Sequence, residues 1–178
     1  MSSIRLREAR GDDAGAIASI YDHYVERTVV TFELDPVPAA TMRERIEAVH
    51  ARGLPWLVAG DGDGGLAGYA YAAPWRDRAA YRHSVETTVY LARGRTGAGI
   101  GRRLYAALLE TLDQRDVHAA IGGIALPNAA SIGLHEALGF VKVAHFPQVG
   151  RKFDRWIDVG YWQRTRRRAG TSELVNRN

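Results

Sequence analysis

A chain of 178 residues, with 46% hydrophobic and 25% charged side chains, has the composition of a globular domain large enough to bury its own core. It holds no cysteine, which excludes disulfides, thiolate metal sites and a covalent acyl-cysteine intermediate, and no apolar run approaches the roughly 20 residues that span a bilayer. The net charge of +4 traces to residues 163–178, where five arginines stand against Glu173 alone. That is a basic tail, not a basic face for nucleic acid. MSSIRLREAR has no signal-peptide apolar segment, so a cytoplasmic protein is expected.

Residues 4–9 alternate apolar and polar and predict a strand. Asp12 or Asp13 then caps a helix with Ala16, Ile17, Ile20, Tyr21 and Tyr24 at helical spacing. Residues 28–38 hold two prolines and no periodic pattern, and read as a loop. A second helix covers 39–53, with Met42, Ile46 and Val49 inward and Gly53 as its stop. Residues 55–60 and 66–74 form a hairpin across DGDGG, and 81–92 is a long strand rich in β-branched and aromatic residues. A helix over 100–114 carries Leu104, Leu108, Leu109 and Leu112 on one stripe. A strand over 117–126, a short helix over 131–139 and strands over 140–147 and 156–164 follow. The order predicts one mixed α/β domain over 1–164, with strands 81–92 and 117–126 parallel through a crossover helix. Residues 165–178 read as a basic, disordered tail.

The segment ARGRTGAGIGRRLY (92–105) places four glycines within eight positions. A dinucleotide fingerprint counted from Gly97 meets Arg102 at its sixth position, and a P-loop counted from Gly94 meets Ile100 where lysine is required. What remains is G-x-G-x-G running into a helix N-terminus, where free amides and the helix dipole favour an anion such as pyrophosphate.

With ALPNAASIGLHEALGF downstream, the chain resembles the GCN5-related N-acetyltransferase superfamily (GNAT). Within it, APWRDRAAYRHSVETTVYL, LPNAASIGLHEALGF and WIDVGYWQ resemble the phosphinothricin and methionine sulfoximine acetyltransferases in order and spacing, over roughly residues 3–164. The resemblance implies a GNAT fold: a mixed, mostly antiparallel sheet with central splayed parallel strands and about four helices. It also implies acetyl-CoA as co-substrate, a small free amino acid or analogue as acceptor, and a homodimer; no metal is expected, given the histidine spacing.

Residue by residue, it implies that the backbone of Val89, Tyr90 and Leu91 and the loop Thr96, Gly97, Ala98, Gly99, Ile100, Gly101 and Arg102 hold the cofactor, with Asn128 and His135 beside it. Thr96 departs from the superfamily pattern, which has Gln or Arg there. Main-chain amides would serve regardless, and Arg95, Arg102 or Arg103 could offset the change. Asn128 matches the asparagine that bonds the pantetheine arm, although Pro-Asn is also a plain turn signal.

Glu86 lies mid-strand, where glutamate is depleted unless it faces solvent or a site. The resemblance makes it the general base for the substrate ammonium, and partial burial would raise its pKa. His135 takes the place of a tyrosine that protonates the departing thiolate in many relatives. It would act as acid or auxiliary base, or only pack and bind cofactor. Arg76 and Arg78, two apart, would grip one carboxylate if their segment is extended, or else belong to a charged surface loop. Phe32 matches a pocket wall or is a core aromatic. The resemblance also places Thr88 among the substrate-binding residues, and Trp75, Tyr81 and Tyr90 line the cleft or the core. His23, His50, His83, His118 and His145 show no metal-ligand spacing. Two rival readings stand: acetylation of a peptide N-terminus, which needs an open groove, and a non-catalytic acyl-CoA-binding domain with a nucleic-acid-docking tail.

Overall fold

The computed structural model describes residues 4–62 and 64–166. One seven-stranded sheet runs β1-β2-β3-β4-β5-β7-β6, formed by β1 (Arg5–Glu8), β2 (Trp56–Gly60), β3 (Leu66–Pro74), β4 (Ser84–Leu91), β5 (Ala119–Leu126), β6 (Val141–Lys152) and β7 (Arg155–Thr165). Every neighbouring pair is antiparallel except β4–β5. Helices α1 (Ala14–Arg27) and α2 (Ala39–Ala51) cover one face, while α3 (Ile100–Asp113) and α4 (Ala129–Ala137) belong to the other. Each face has its own core. Ile17, Val25, Met42, Ile46 and Trp56 are buried on the first, and Leu104, Leu108, Leu112, Phe140 and Trp162 on the second.

Burial on both faces explains why β2 reads as a continuous apolar run. The leucine stripe of α3 is inward as its spacing predicts. Three local readings differ. Asp13 does not cap α1; its carboxylate accepts from both Arg7 guanidinium nitrogens at 2.7 Å and from the Arg10 amide, capping a short 3-10 turn instead. The strand expected from 81 begins at Ser84, because 79–81 make a second 3-10 turn. Strand β6 runs on to Lys152 and meets β7 across Phe153 and Asp154, both at positive φ. A bulge between Phe146 and Gly150 absorbs Pro147, which cannot donate to a ladder, so the proline that suggested an end is a kink.

Strand β7 extends through Thr165, paired with Ala119, and the Arg166 amide donates to the His118 carbonyl. The remainder of the arginine tail, residues 167–178, lies outside the described residues.

Candidate functional site

The parallel strands β4 and β5 pair only over Ser84–Glu86 and Ala119–Ile121, and beyond that they part. The bonds from Trp75 N to Ser84 O and from Ala92 N to Ala67 O bracket the β3–β4 ladder. By strand alternation the even residues of β4 bond β3, and the odd ones face β5. The main-chain groups turned into the gap are therefore those of Val89 and Leu91, not of Tyr90. Tyr24 of α1 already engages Leu91, its hydroxyl donating to the carbonyl at 2.7 Å and accepting from the amide at 3.3 Å. The Val89 amide is left facing the gap.

Next to the gap lies a cleft of about 420 Å³ lined by Val89, Leu91, Thr96, Gly97, Gly99, Gly101, Arg102 and Asn128. Sequence reasoning named all eight. Gly99, at φ 72°, is the N-cap of α3, and the helix makes its first bond from Arg103 N to Gly99 O. The amides of Ile100, Gly101 and Arg102 therefore have no intrahelical acceptor. A Cβ on Gly101 would stand 3.3 Å from Leu91 Cδ1, a tight contact, so a glycine eases the close approach of the helix start to β4. Free amides beside an elongated cleft fit a phosphate-bearing cofactor.

Of the three arginines near Thr96, Arg95 pairs with Asp61 at 3.2 Å and Arg103 reaches the Ile4 carbonyl at 3.4 Å, so Arg102 is the one on the cleft. Asn128 caps α4, its Oδ1 accepting from Ser131 N at 3.0 Å, which leaves its amide nitrogen to donate. Ala98 and Ile100 do not line the cleft, and the Ile100 side chain is core.

Glu86 occupies the last paired position of β4 before the gap. Burial raises its carboxyl pKa, and the nearby Arg76 guanidinium partly opposes the rise. A Cβ on Gly123 of β5 would stand 3.5 Å from Glu86 Oε1 and 3.2 Å from Tyr161 Cε1, so Gly123 and Tyr161 are the neighbours of the carboxylate on the β5–β7 side. Around it, Tyr161 packs edge-on against Trp75 and Phe146, with ring centroids 5.6 and 5.5 Å apart, and Arg76 lies 4.2 Å over the Trp75 ring. Thr88 shares the face of Glu86 and is paired with Tyr71.

His135 is 5% exposed. Its Nδ1 lies 2.8 Å from the Ser131 carbonyl, its Nε2 lies 3.1 Å from the Tyr105 hydroxyl, and burial lowers its pKa. The Nε2 edge presses on Gly122, where any Cβ would collide with the ring. The ring thus faces α3 and β5, inside the core.

Arg76 and Arg78 lie in an irregular segment after β3 rather than in a strand, Arg78 with extended angles just before the 3-10 turn, and both line one cleft of about 320 Å³ with Asp77 and Tyr81. Phe32, 39% exposed, lies against the backbone of Gly150 in β6. Its loop is tied down by Lys152 Nζ donating to Thr31 O at 2.9 Å and by the Arg45–Glu33 pair at 2.7 Å. Sequence reasoning missed Tyr24, Ser131 and Leu134 on the cleft at the start of α3, and Tyr161 and Gly123 around Glu86. Helical spacing marked Tyr24 as inward, but it does not say that a hydroxyl binds a strand.

The chain matches the acetyltransferase (GNAT) domain over residues 6–160. It is 37% identical to a phosphinothricin N-acetyltransferase of Streptomyces coelicolor, covering 92% of this chain and 96% of that one. It is also 37% identical to an L-methionine sulfoximine/L-methionine sulfone acetyltransferase of Pseudomonas paraeruginosa, covering 90% and 94%. Among solved structures, an acetyltransferase from Salmonella typhimurium with its cofactor acetyl-CoA superposes with a TM-score of 0.91 at 34% identity, covering 97% and 99% of the two chains.

Proposed function

The chain belongs to the GNAT acetyltransferase family, and we propose that it moves an acetyl group from acetyl-CoA to the free α-amine of a small amino acid of phosphinothricin or methionine sulfoximine type. The observation that carries the reading is Glu86: a half-buried carboxylate with a raised pKa, beside Gly123 and Arg76, at the point where β4 and β5 part.

Acetyl-CoA supplies the acetyl group as an activated thioester. The free amides at the start of α3 suit its pyrophosphate, and the Val89 edge of β4 suits its extended amide-bearing arm. With no cysteine to carry the acetyl group, donor and acceptor are held together. Glu86 takes a proton from the acceptor ammonium, directly or through water, and its raised pKa makes it a better base than an ordinary carboxylate. The Val89 N–H donates to the carbonyl oxygen that gains charge as the amine attacks; collapse then breaks the C–S bond, and the departing CoA thiolate takes up the proton that the new amide nitrogen gives up. Arg76 and Arg78 hold the acceptor carboxylate, and Phe32 walls the pocket. His135 serves as a positioning residue, since both ring nitrogens are engaged inside the core.

The reaction belongs in the cytoplasm, where acetyl-CoA is made available, and no described helix is long and apolar enough to cross a membrane. A homodimer is supported by the edge hairpin β6–β7, which exposes Val141, Val143, Val149, Phe153 and Trp156. The reading is tested by offering free amino acids and analogues with acetyl-CoA and following thiol release. Release with a methionine sulfone-type acceptor supports it, and none across the panel refutes it.

A further inference from the structure

Residues 28–38 form neither helix nor strand, yet one residue among them is fixed from within. Thr31 is buried between two exposed neighbours, Val30 and Phe32. Its Oγ1 lies 2.6 Å from the Tyr21 hydroxyl, and Tyr21 packs edge-on against Tyr90 with ring centroids 5.2 Å apart. Strand alternation puts Tyr90, Thr88 and Glu86 on one face of β4, the face whose core includes α1 and α2. The segment around Thr31 therefore packs on the strand face that carries the Glu86 carboxylate. Val30 reaches the cofactor cleft, and the Phe32 ring meets Gly150 of β6.

What holds Thr31 is an ammonium. Lys152, the last residue of β6, is 3% exposed. Its Nζ donates to Thr31 O at 2.9 Å and, at a longer 3.5 Å, to Tyr24 O in the last turn of α1, where the helix dipole favours a cation. Burial lowers its pKa, and among the described residues no carboxylate pairs with it to oppose that. A buried charge without a counter-ion costs stability, and an apolar side chain would fill this place at less cost. The second tether, Arg45–Glu33, joins two partly exposed side chains and is worth little. Lys152 thus stands where stability alone does not favour it, and what it secures is the place of Thr31.

We propose that Lys152 is a positioning residue for acetyl transfer: its ammonium fixes residues 30–32 over the Glu86 face of β4 and so sets how tightly the amino-acid acceptor binds. This rests on the acetyltransferase reading of the Glu86 site. Lys152 touches neither substrate. It acts through the Thr31 carbonyl, which holds Val30 and Phe32 in place before the acceptor arrives, so the acceptor does not have to order them.

The test is steady-state kinetics of the full chain with methionine sulfone and acetyl-CoA, alongside a thermal melt. Lys152→Met keeps an unbranched stem and removes the ammonium. The acceptor must then order about one released residue, so KM for methionine sulfone should rise about tenfold, with kcat and KM for acetyl-CoA within about threefold. A lower melting temperature with unmoved KM is the mark of a merely structural lysine and overturns the proposal. So does an equal rise in both KM values. If Lys152→Met does not fold, Gly150→Ala carries the test, because its Cβ pushes the Phe32 ring aside while Lys152 stays in place. A raised KM for the sulfone then supports the proposal, and an unmoved one overturns it. A wild type that acetylates no free amino acid overturns the parent reading and this one together, whereas normal wild-type turnover with KM unmoved in both variants overturns this one alone.

Discussion

Tyr105 and His135, thirty residues apart in sequence, share a buried hydrogen bond whose direction is fixed by the rest of the network. The Ser131 carbonyl can only accept, so His135 Nδ1 carries the proton. Nε2 is then an acceptor, and the Tyr105 hydroxyl donates to it. Thr87 Oγ1, 2.7 Å from that hydroxyl, ties the pair to β4 where it begins to leave β5. Tyr105→Phe leaves Nε2 buried without a donor, which costs about 1–3 kcal/mol of stability. Urea denaturation measures that loss. The acidic limb of the pH–rate profile, assigned to Glu86, should stay where it is, and a shift in that limb would make His135 a proton carrier.

The lowered pKa of His135 has a defined sign for stability. As pH falls below the reference histidine value of ~6.5, the unfolded chain binds a proton before the native one does, so stability is lost through that window. Asp13, whose pKa is lowered mainly by Arg7, adds its own loss further into the acid range. Denaturation midpoints compared between neutral pH and mildly acid pH should fall for the wild type and fall less for His135→Gln. Equal slopes would contradict a buried neutral imidazole.

A carboxylate clamp makes acceptor choice predictable. Losing a hydrogen bond to a charged group costs roughly 1.5–3 kcal/mol, so Arg76→Ala or Arg78→Ala should raise KM for a free amino acid about tenfold to a hundredfold. Affinity for acetyl-CoA should be unchanged. Comparing a free amino acid with its carboxamide separates this account from acetylation of peptide N-termini. A wild type that accepts both equally has no such clamp.

At the cofactor cleft, Gly99→Val forces a β-branched residue into the left-handed region, and Gly101→Val pushes on Leu91. Both variants should lose acetyl-CoA binding in calorimetry while remaining folded. An unchanged affinity in a folded variant would remove the phosphate cradle from α3.

The exposed β6–β7 hairpin predicts self-association. Light scattering should give a dimer at micromolar concentration, and Trp156→Arg, at a residue 61% exposed, should shift it toward monomer without unfolding. A wild-type monomer would count against the homodimer.

Much of this site was legible because its residues break local rules. A glutamate in a β-branched strand and a glycine cluster at a helix entrance both cost stability unless something offsets them; three of the glycines lie on a cleft, and the glutamate is half-buried where β4 and β5 part. The extent of β6 was hidden because Pro147 looks like an end when a bulge carries it. Tyr105 was hidden within the leucine stripe of α3, where spacing reports burial and says nothing of a hydroxyl's partner. The surroundings of Glu86 include Gly123 and Tyr161, which meet only through β5–β7 pairing, and no local pattern encodes that.

The general-base role of Glu86 is tested most directly by Glu86→Gln, which keeps size and hydrogen bonding but cannot take the proton. Steady-state kinetics from pH 6 to 9 should show kcat lowered about 10²–10⁴-fold with KM for acetyl-CoA nearly unchanged. The wild type should lose activity on its acid side at a pH above the ordinary glutamate range, as the raised pKa requires, and the variant should lack that limb. Near-wild-type turnover of Glu86→Gln across this range would contradict the account.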